Sequence, residues 1–324
     1  MKVVLFCGGF GTRLRDYSET IPKPMIPIGY RPILWNLMKY YAHYGHKQFI
    51  LCLGYRADLI KEYFLNYNET LSNDFVLSKG GKSIHLYNSD ISDWEISFID
   101  TGLQANIGQR LKAVQQYLEG EEVFMANYAD GLTDLPLPQY LDNFYNQDKI
   151  ASFLCVLPSQ SFHIVSLGEN GLVNHIEPVK KSDMWINGGF FVFKQKIFDY
   201  IQAGEELIYE PFQRLIARNE LIGYRYDGFF ACMDTFKEKQ MFDEMYNKGE
   251  VPWMVWKNSS NNSDFSSDGK SHLPAMDQEN NKAIIPDEDG IRFNTHPKEE
   301  IDISIQPSEK SSDLGLIPKP GLAT

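Results

Sequence analysis

A chain of 324 residues, 43% of them hydrophobic, can bury one large core or two small ones. Its net charge of −12 excludes a broad nucleic-acid-binding face, which would need clustered Lys and Arg to neutralise several phosphates. No apolar run approaches the ~18 residues of a membrane helix, no signal-peptide pattern opens the chain, and Cys7, Cys52, Cys155 and Cys232 form no C-x-x-C pair, so a reducing cytoplasm is expected.

Lys2 to Cys7 reads as a continuous buried strand followed by a glycine loop. After Pro32, Ile33, Leu37, Met38 and Tyr41 recur at helical spacing. Gln48 to Leu53 is a second buried strand, Arg56 to Leu65 a helix, Glu95 to Ile99 extended, Ile107 to Leu118 helical and Val123 to Asn127 a third buried strand. Strands alternating with crossover helices imply an α/β fold with a doubly wound, mostly parallel, Rossmann-like sheet and ligands at the strand C-terminal ends, where Gly8 and Asp130 fall. Beyond Lys149 the pattern is mixed, with strands expected at Ser152 to Leu157, Ile164 to Leu167 and Trp185 to Phe193. Helices are expected near Tyr209 to Arg218 and Thr235 to Asn247, and these elements read as additions to the same sheet. From 258 to 324 the chain turns polar, with 12 acidic against 6 basic residues and no Trp or Tyr. That composition buries too little apolar surface to offset ordering entropy, so 1–257 is read as the folded domain and 258–324 as a disordered tail. The alternative is a docking arm in which Ile284-Ile285 or Ile301 to Ile305 adds to a sheet edge.

Four constellations carry chemistry. The first is Gly8-Gly9-Phe10-Gly11-Thr12-Arg13-Leu14, closed by Pro22-Lys23-Pro24-Met25. Its glycines let successive N–H groups approach phosphate oxygens, and Arg13 and Lys23 add positive charge. Its spacing is neither G-x-G-x-x-G nor the Walker pattern, which lowers the case for hydride transfer or ATP hydrolysis. The second pairs Asp130-Gly131 with Asp234, since carboxylates suit Mg²⁺ completed by water and substrate phosphates; each alone could be a turn residue or, for Asp234, a helix N-cap. The third is Gly108-Gln109-Arg110, whose arginine could hold a phosphate or contact a base edge, or simply lie on the surface. The fourth is Asn187-Gly188-Gly189 with Glu177, groups able to bond sugar hydroxyls, or else a strand with a bulge at its glycines. No G-x-S-x-G elbow supports a serine hydrolase.

Together these residues resemble the sugar-1-phosphate nucleotidylyltransferases, whose signature is a G-G-x-G-T-R-L loop followed by P-K-P-M. Pro32-Ile33-Leu34-Trp35, Asp100-Thr101-Gly102, Asp130 to Asp134, Trp185 to Phe191 and Met233-Asp234-Thr235 look more specifically like the glucose-1-phosphate cytidylyltransferase branch. The resemblance implies that Gly8, Gly9, Gly11, Thr12, Arg13, Lys23 and Arg110 hold the nucleotide, with Arg13 and Lys23 catalytic. It implies Mg²⁺ on Asp130 and Asp234, and a sugar 1-phosphate on Glu177, Lys180, Asn187 and Gly188. CTP is the expected nucleotide, dTTP or UTP the alternatives, and a homo-oligomer the expected assembly, with Tyr40, Tyr41 and Tyr44 available to an interface or to the core. One departure bears on the acceptor: Pro178 stands where the family carries a lysine, with Lys180 and Lys181 nearby. A reading from another class is a catalytically silent nucleotide-sugar-binding regulatory subunit.

Overall fold

Val3–Phe6 forms β1, every side chain of which is buried, as expected of a parallel strand covered on both faces. The computed structural model describes residues 1–9, 21–158 and 162–258; the tail reading for 259–324 lies outside these residues. After β1 come α1 (Ile33–His43), β2 (Gln48–Leu53), α2 (Ala57–Leu65) and a two-stranded ribbon, β3 (Phe75–Ser78) with β4 (Ser83–Leu86). The chain continues through β5 (Glu95–Asp100), α3 (Ile107–Ala113), β6 (Val123–Tyr128), β7 (Gly131–Thr133), α4 (Leu137–Gln147) and β8 (Ala151–Val156). A second ribbon, β9 (His163–Leu167) with β10 (Val173–Pro178), precedes β11 (Ile186–Asn187) and β12 (Phe191–Lys194). The last elements are α5 (Glu210–Ala217), β13 (Leu221–Tyr226), β14 (Phe230–Cys232), α6 (Phe236–Lys248) and a short α7 (Val255–Asn258).

Among the described residues the central sheet has eight strands. Strands β5, β2, β1 and β6 are parallel neighbours in that order. Antiparallel β12 follows β6, then β8, which also pairs with β11, while β13 runs parallel to β8 on its other edge. The chain leaves β1 toward β2 and β5, then returns to the other side of β1 as β6. This reversal opens a crevice at the C-terminal ends of β1 and β6, where Gly8 and Asp130 stand. One apolar layer packs Val3 and Leu5 against α1, α4 and α6, and the other packs Val4 and Phe6 against α3 and α5. Tyr40 and Tyr41 belong to the first layer, each 1% exposed, and the Tyr40 hydroxyl donates to the Leu135 carbonyl at 2.7 Å. Core packing is thus their role in the folded chain.

Several elements differ from the sequence expectations for identifiable reasons. The expected helix from Ile107 breaks after Ala113 and continues as a 3₁₀ turn over Gln115–Leu118. Its start is fixed by a capping box in which Asn106 and Gln109 each bond the other's backbone N–H. The expected strand from Trp185 to Phe193 is interrupted because Gly188 N donates to Leu154 O while Leu154 N donates to Gly189 O. Gly189 (φ 75°) and Phe190 (φ 48°) take left-handed backbone there, producing the bulge. Helix α4 was hidden in Leu-Pro-Leu-Pro, whose second proline occupies the first turn, where its missing N–H is harmless. Strand β13 contains Gly223, whose Cβ would lie 2.5 Å from the Cys155 Sγ. Among the described residues no helix is long and apolar enough to cross a membrane.

Candidate active site

Two backbone devices bring the carboxylates together. Strand β6 delivers Asp130 to the crevice, and the antiparallel pair β7–β14 aligns Gly131 with Cys232. Met233 N then donates to Asp130 O at 2.9 Å, which sets Asp234 beside Asp130. The N-cap of α6 is Thr235, in a capping box with Glu238, so the capping role considered for Asp234 belongs to its neighbour. Glu238 also accepts from Asp234 N at 3.0 Å, holding the residue while its carboxylate faces Lys23.

Lys23 opens a 3₁₀ turn, Lys23–Met25, between Pro22 and Pro24, whose fixed φ angles limit the backbone on both sides. Its Nζ lies 2.5 Å from Asp130 Oδ2 and 2.5 Å from Asp234 Oδ1. Burial pulls the Lys23 pKa down, but the two carboxylates outweigh burial and hold it above its ordinary value, so the ammonium stays charged. Burial, with Asp234 and Asp130 adding to it, pushes the Cys232 thiol up to about 12. That thiol therefore stands beside Asp234 as a neutral group, with Sγ 3.5 Å from Oδ2.

Arg110 is turned inward. It is 3% exposed, and its guanidinium donates to Leu53 O at 3.0 Å, Thr101 Oγ1 at 2.7 Å, Gly8 O at 3.0 Å and Leu103 O at 3.5 Å. The ends of β1, β2 and β5 are thereby tied to one planar fork. This seat explains Gly8, since a Cβ there would lie 2.1 Å from Arg110 Nη1. We expect Gly8→Ala to displace the guanidinium and lower Tm by several degrees, on the order of 1–3 kcal/mol of overpacking. Thermal denaturation checks this, and an unchanged Tm would show that Arg110 is not seated against Gly8.

A cleft of about 340 Å³ lies over these groups, lined among others by Gly8, Gly9, Lys23, Arg110, Asp130 and Asp234. That volume falls within the range of small-ligand sites. Tyr128, Asn106 and Glu206 also line it. Sequence reasoning did not single these out: Asn106 carried a readable N-cap signal, but Glu206 arrives on a loop without periodicity. Gly11, Thr12 and Arg13 lie outside the described residues.

The residues expected to bind the acceptor sit to one side of this cleft. Asn187 lies near the Tyr128 hydroxyl, and its Oδ1 accepts from Gly189 N at 2.8 Å. Gly188 is buried in the bulge, where a Cβ would meet Val156 Cγ1 at 3.2 Å. Glu177 lies on β10 opposite Ile164, and His175 Nε2 lies 3.6 Å from its carboxylate. Pro178 ends β10, and Lys180 is exposed in the turn that follows. None of Glu177, Lys180, Asn187 and Gly188 is among the residues lining the main cleft; Tyr128, near Asn187, is.

Among the described residues, no group of three or more His, Cys, Asp or Glu is arranged to hold a metal. The Asp130–Asp234 pair nevertheless suits a hard cation that keeps most of its shell for water and phosphate. Each carboxylate offers an oxygen to the same ammonium, so a positive charge already occupies the position between them.

Comparison with known proteins gives the chain's family and fold. The family model for nucleotidyl transferase matches residues 2–245. The chain is 34% identical over 257 residues to the glucose-1-phosphate cytidylyltransferase of Salmonella typhimurium (strain LT2), covering 79% of this chain and 100% of that protein. It is 30% identical over 214 residues to the D-glycero-alpha-D-manno-heptose 1-phosphate guanylyltransferase of Campylobacter jejuni, covering 65% of this chain and 84% of that protein. The fold matches the crystal structure of apo UDP-glucose pyrophosphorylase with a TM-score of 0.57 at 16% identity, over 77% of this chain and 99% of that one.

Proposed function

The chain belongs to the nucleotidyl transferase family, and on that premise we propose that it transfers CMP from CTP to glucose 1-phosphate, releasing pyrophosphate. The observation that carries the chemistry is Lys23 held between Asp130 and Asp234 at the sheet's switch point. The choice of CTP and glucose 1-phosphate is supported by the 34% identity to the Salmonella enzyme of that name.

In this reading the nucleotide phosphates enter the cleft over Gly8 and Gly9, with the loop residues Gly11, Thr12 and Arg13 assigned to the same cradle. Asp130 and Asp234 would hold Mg²⁺, which when bound polarises the α-phosphoryl group and neutralises charge on the leaving pyrophosphate. A phosphate oxygen of the acceptor attacks the α-phosphorus in line; the new P–O bond forms as the bond to the β-phosphate oxygen breaks. That oxygen is already ionised at neutral pH, so no general base is needed. Lys23 exchanges its carboxylate partners for phosphate oxygens and stabilises charge on the transferring group. Arg110 acts beneath the loop, fixing the carbonyls of Gly8 and Leu53 so that the cradle keeps its shape. Residues 1–257 are assigned the whole of this chemistry, in the cytoplasm and as a homo-oligomer.

The test is a matrix of CTP, dTTP and UTP against several sugar 1-phosphates with Mg²⁺, followed by pyrophosphate release. The expected maximum is CTP with glucose 1-phosphate. A maximum with dTTP or UTP would reassign the base. Nucleotide binding without release in any cell of the matrix would support the regulatory-subunit reading instead.

A further inference from the structure

Strand β8 pairs with β11 on one side and β13 on the other, and the register sets Asn187, Cys155 and Arg225 abreast. Directly paired residues project to one face of a sheet, and residues two apart along a strand share a face. Phe153 and Leu221, on the same faces as Cys155 and Arg225, pack into the layer that also holds Tyr128. Arg225 therefore lies on the cleft's side of the sheet, near the C-terminal end of β13. Two strand spacings separate its backbone from that of Asn187, about 10 Å, a gap that an arginine side chain and a sugar phosphate can bridge.

Trp185 precedes Asn187 by two residues, and the Arg225 guanidinium stacks on its ring, with Cζ 5.4 Å from the centroid. The Trp185 indole nitrogen is buried without a hydrogen-bond partner among the described residues. Arg225 is exposed and enters no ion pair among them. Of the described cations lining the main cleft, Lys23 is engaged by two carboxylates and Arg110 by three carbonyls and a hydroxyl. A guanidinium fork beside an orphaned indole N–H thus offers donors with no acceptor, and a buried donor left unmade is costly.

We propose that Trp185 and Arg225 form the oxyanion-binding end of the acceptor subsite, taking phosphate or carboxylate oxygens of the incoming sugar phosphate. This rests on the transfer function above and names the residues that select its acceptor. The oxygens can come from the 1-phosphate itself or from an acidic group on the sugar ring.

The experiment uses the full-length chain at saturating nucleotide, with glucose 1-phosphate and glucuronic acid 1-phosphate as acceptors. Arg225→Gln is expected to raise the acceptor KM about tenfold or more, the usual scale for a charge-assisted hydrogen bond, with the nucleotide KM and kcat near those of the parent. Arg225→Lys recovers part of the loss, and Trp185→Phe, which keeps the ring but removes the N–H, raises KM by a smaller factor. A rise with both acceptors assigns the 1-phosphate as the occupant; a rise confined to glucuronic acid 1-phosphate assigns the ring carboxylate. Acceptor KM within twofold of the parent for both sugars in Arg225→Gln overturns the subsite alone, as does a rise seen only in Lys180→Gln. A parent that releases no pyrophosphate with any acceptor overturns the transfer function, and the subsite with it.

Discussion

Asp130→Asn lowers kcat by about 10²–10³-fold, the scale seen when one preorganised electrostatic group is removed from a reacting centre, while Tm moves by only a few degrees. The substitution keeps the size of the side chain and removes its charge. Lys23 retains Asp234 at 2.5 Å, so the fold around the turn keeps one of its two ion pairs. What is lost is half of the carboxylate pair assigned to the cation. The apparent Mg²⁺ requirement should therefore rise in the same variant, and high Mg²⁺ should restore part of the rate. Initial rates across a Mg²⁺ titration, with a thermal melt beside them, check both statements. Turnover within a few-fold of the parent at low Mg²⁺ would remove Asp130 from the metal site.

Arg110→Met carries the largest expected effect on stability. Methionine roughly fills the aliphatic volume but removes the guanidinium donors from Leu53 O, Gly8 O, Leu103 O and Thr101 Oγ1, leaving Leu53 O the Thr101 N and Oγ1 donors and Gly8 O the Tyr55 N donor. Each acceptor that loses a charged donor costs about 1.5–3 kcal/mol before relaxation. Allowing for water reaching some of them, a net loss of about 3–5 kcal/mol and a Tm fall of roughly 6–15 °C are expected. Arg110→Lys should recover little, because one ammonium cannot span acceptors on three strand ends. Burial lowers the Arg110 pKa, consistent with a cation held by carbonyl dipoles instead of a carboxylate. If the residue served only to grip the nucleotide, Arg110→Met would raise the nucleotide KM and leave Tm unchanged.

The contrast between Arg110 and Asp130 shows what could be read from the sequence. Strands β1, β2 and β6 are buried on both faces, so each is a continuous apolar run, and their alternation with helices made the doubly wound order legible. Gly8 and Asp130 were legible with them, because ligands gather where such strands end. That Lys23 joins Asp130 to Asp234 was not, since it depends on the Gly131–Cys232 pairing of two very short strands. Helical periodicity placed Arg110 on the first turns of a helix, but not which way it faced; only the proximity of three strand ends turns it inward. The ribbons β3–β4 and β9–β10 escaped or were seen by halves. They expose apolar residues such as Leu77, Ile84, Leu167 and Ile176, and so lack the alternation that marks a half-buried strand.

The most direct measurement of the central claim follows oxygen. Glucose 1-phosphate labelled with ¹⁸O at its non-bridging phosphate oxygens is incubated with CTP, Mg²⁺ and the full-length chain, and the products are separated and weighed by mass spectrometry. Attack by the acceptor phosphate on the α-phosphorus predicts every labelled oxygen in the nucleotide-sugar and none in the pyrophosphate, with the two products formed in equal amounts. Label in the pyrophosphate, or pyrophosphate released without a nucleotide-sugar, would contradict it.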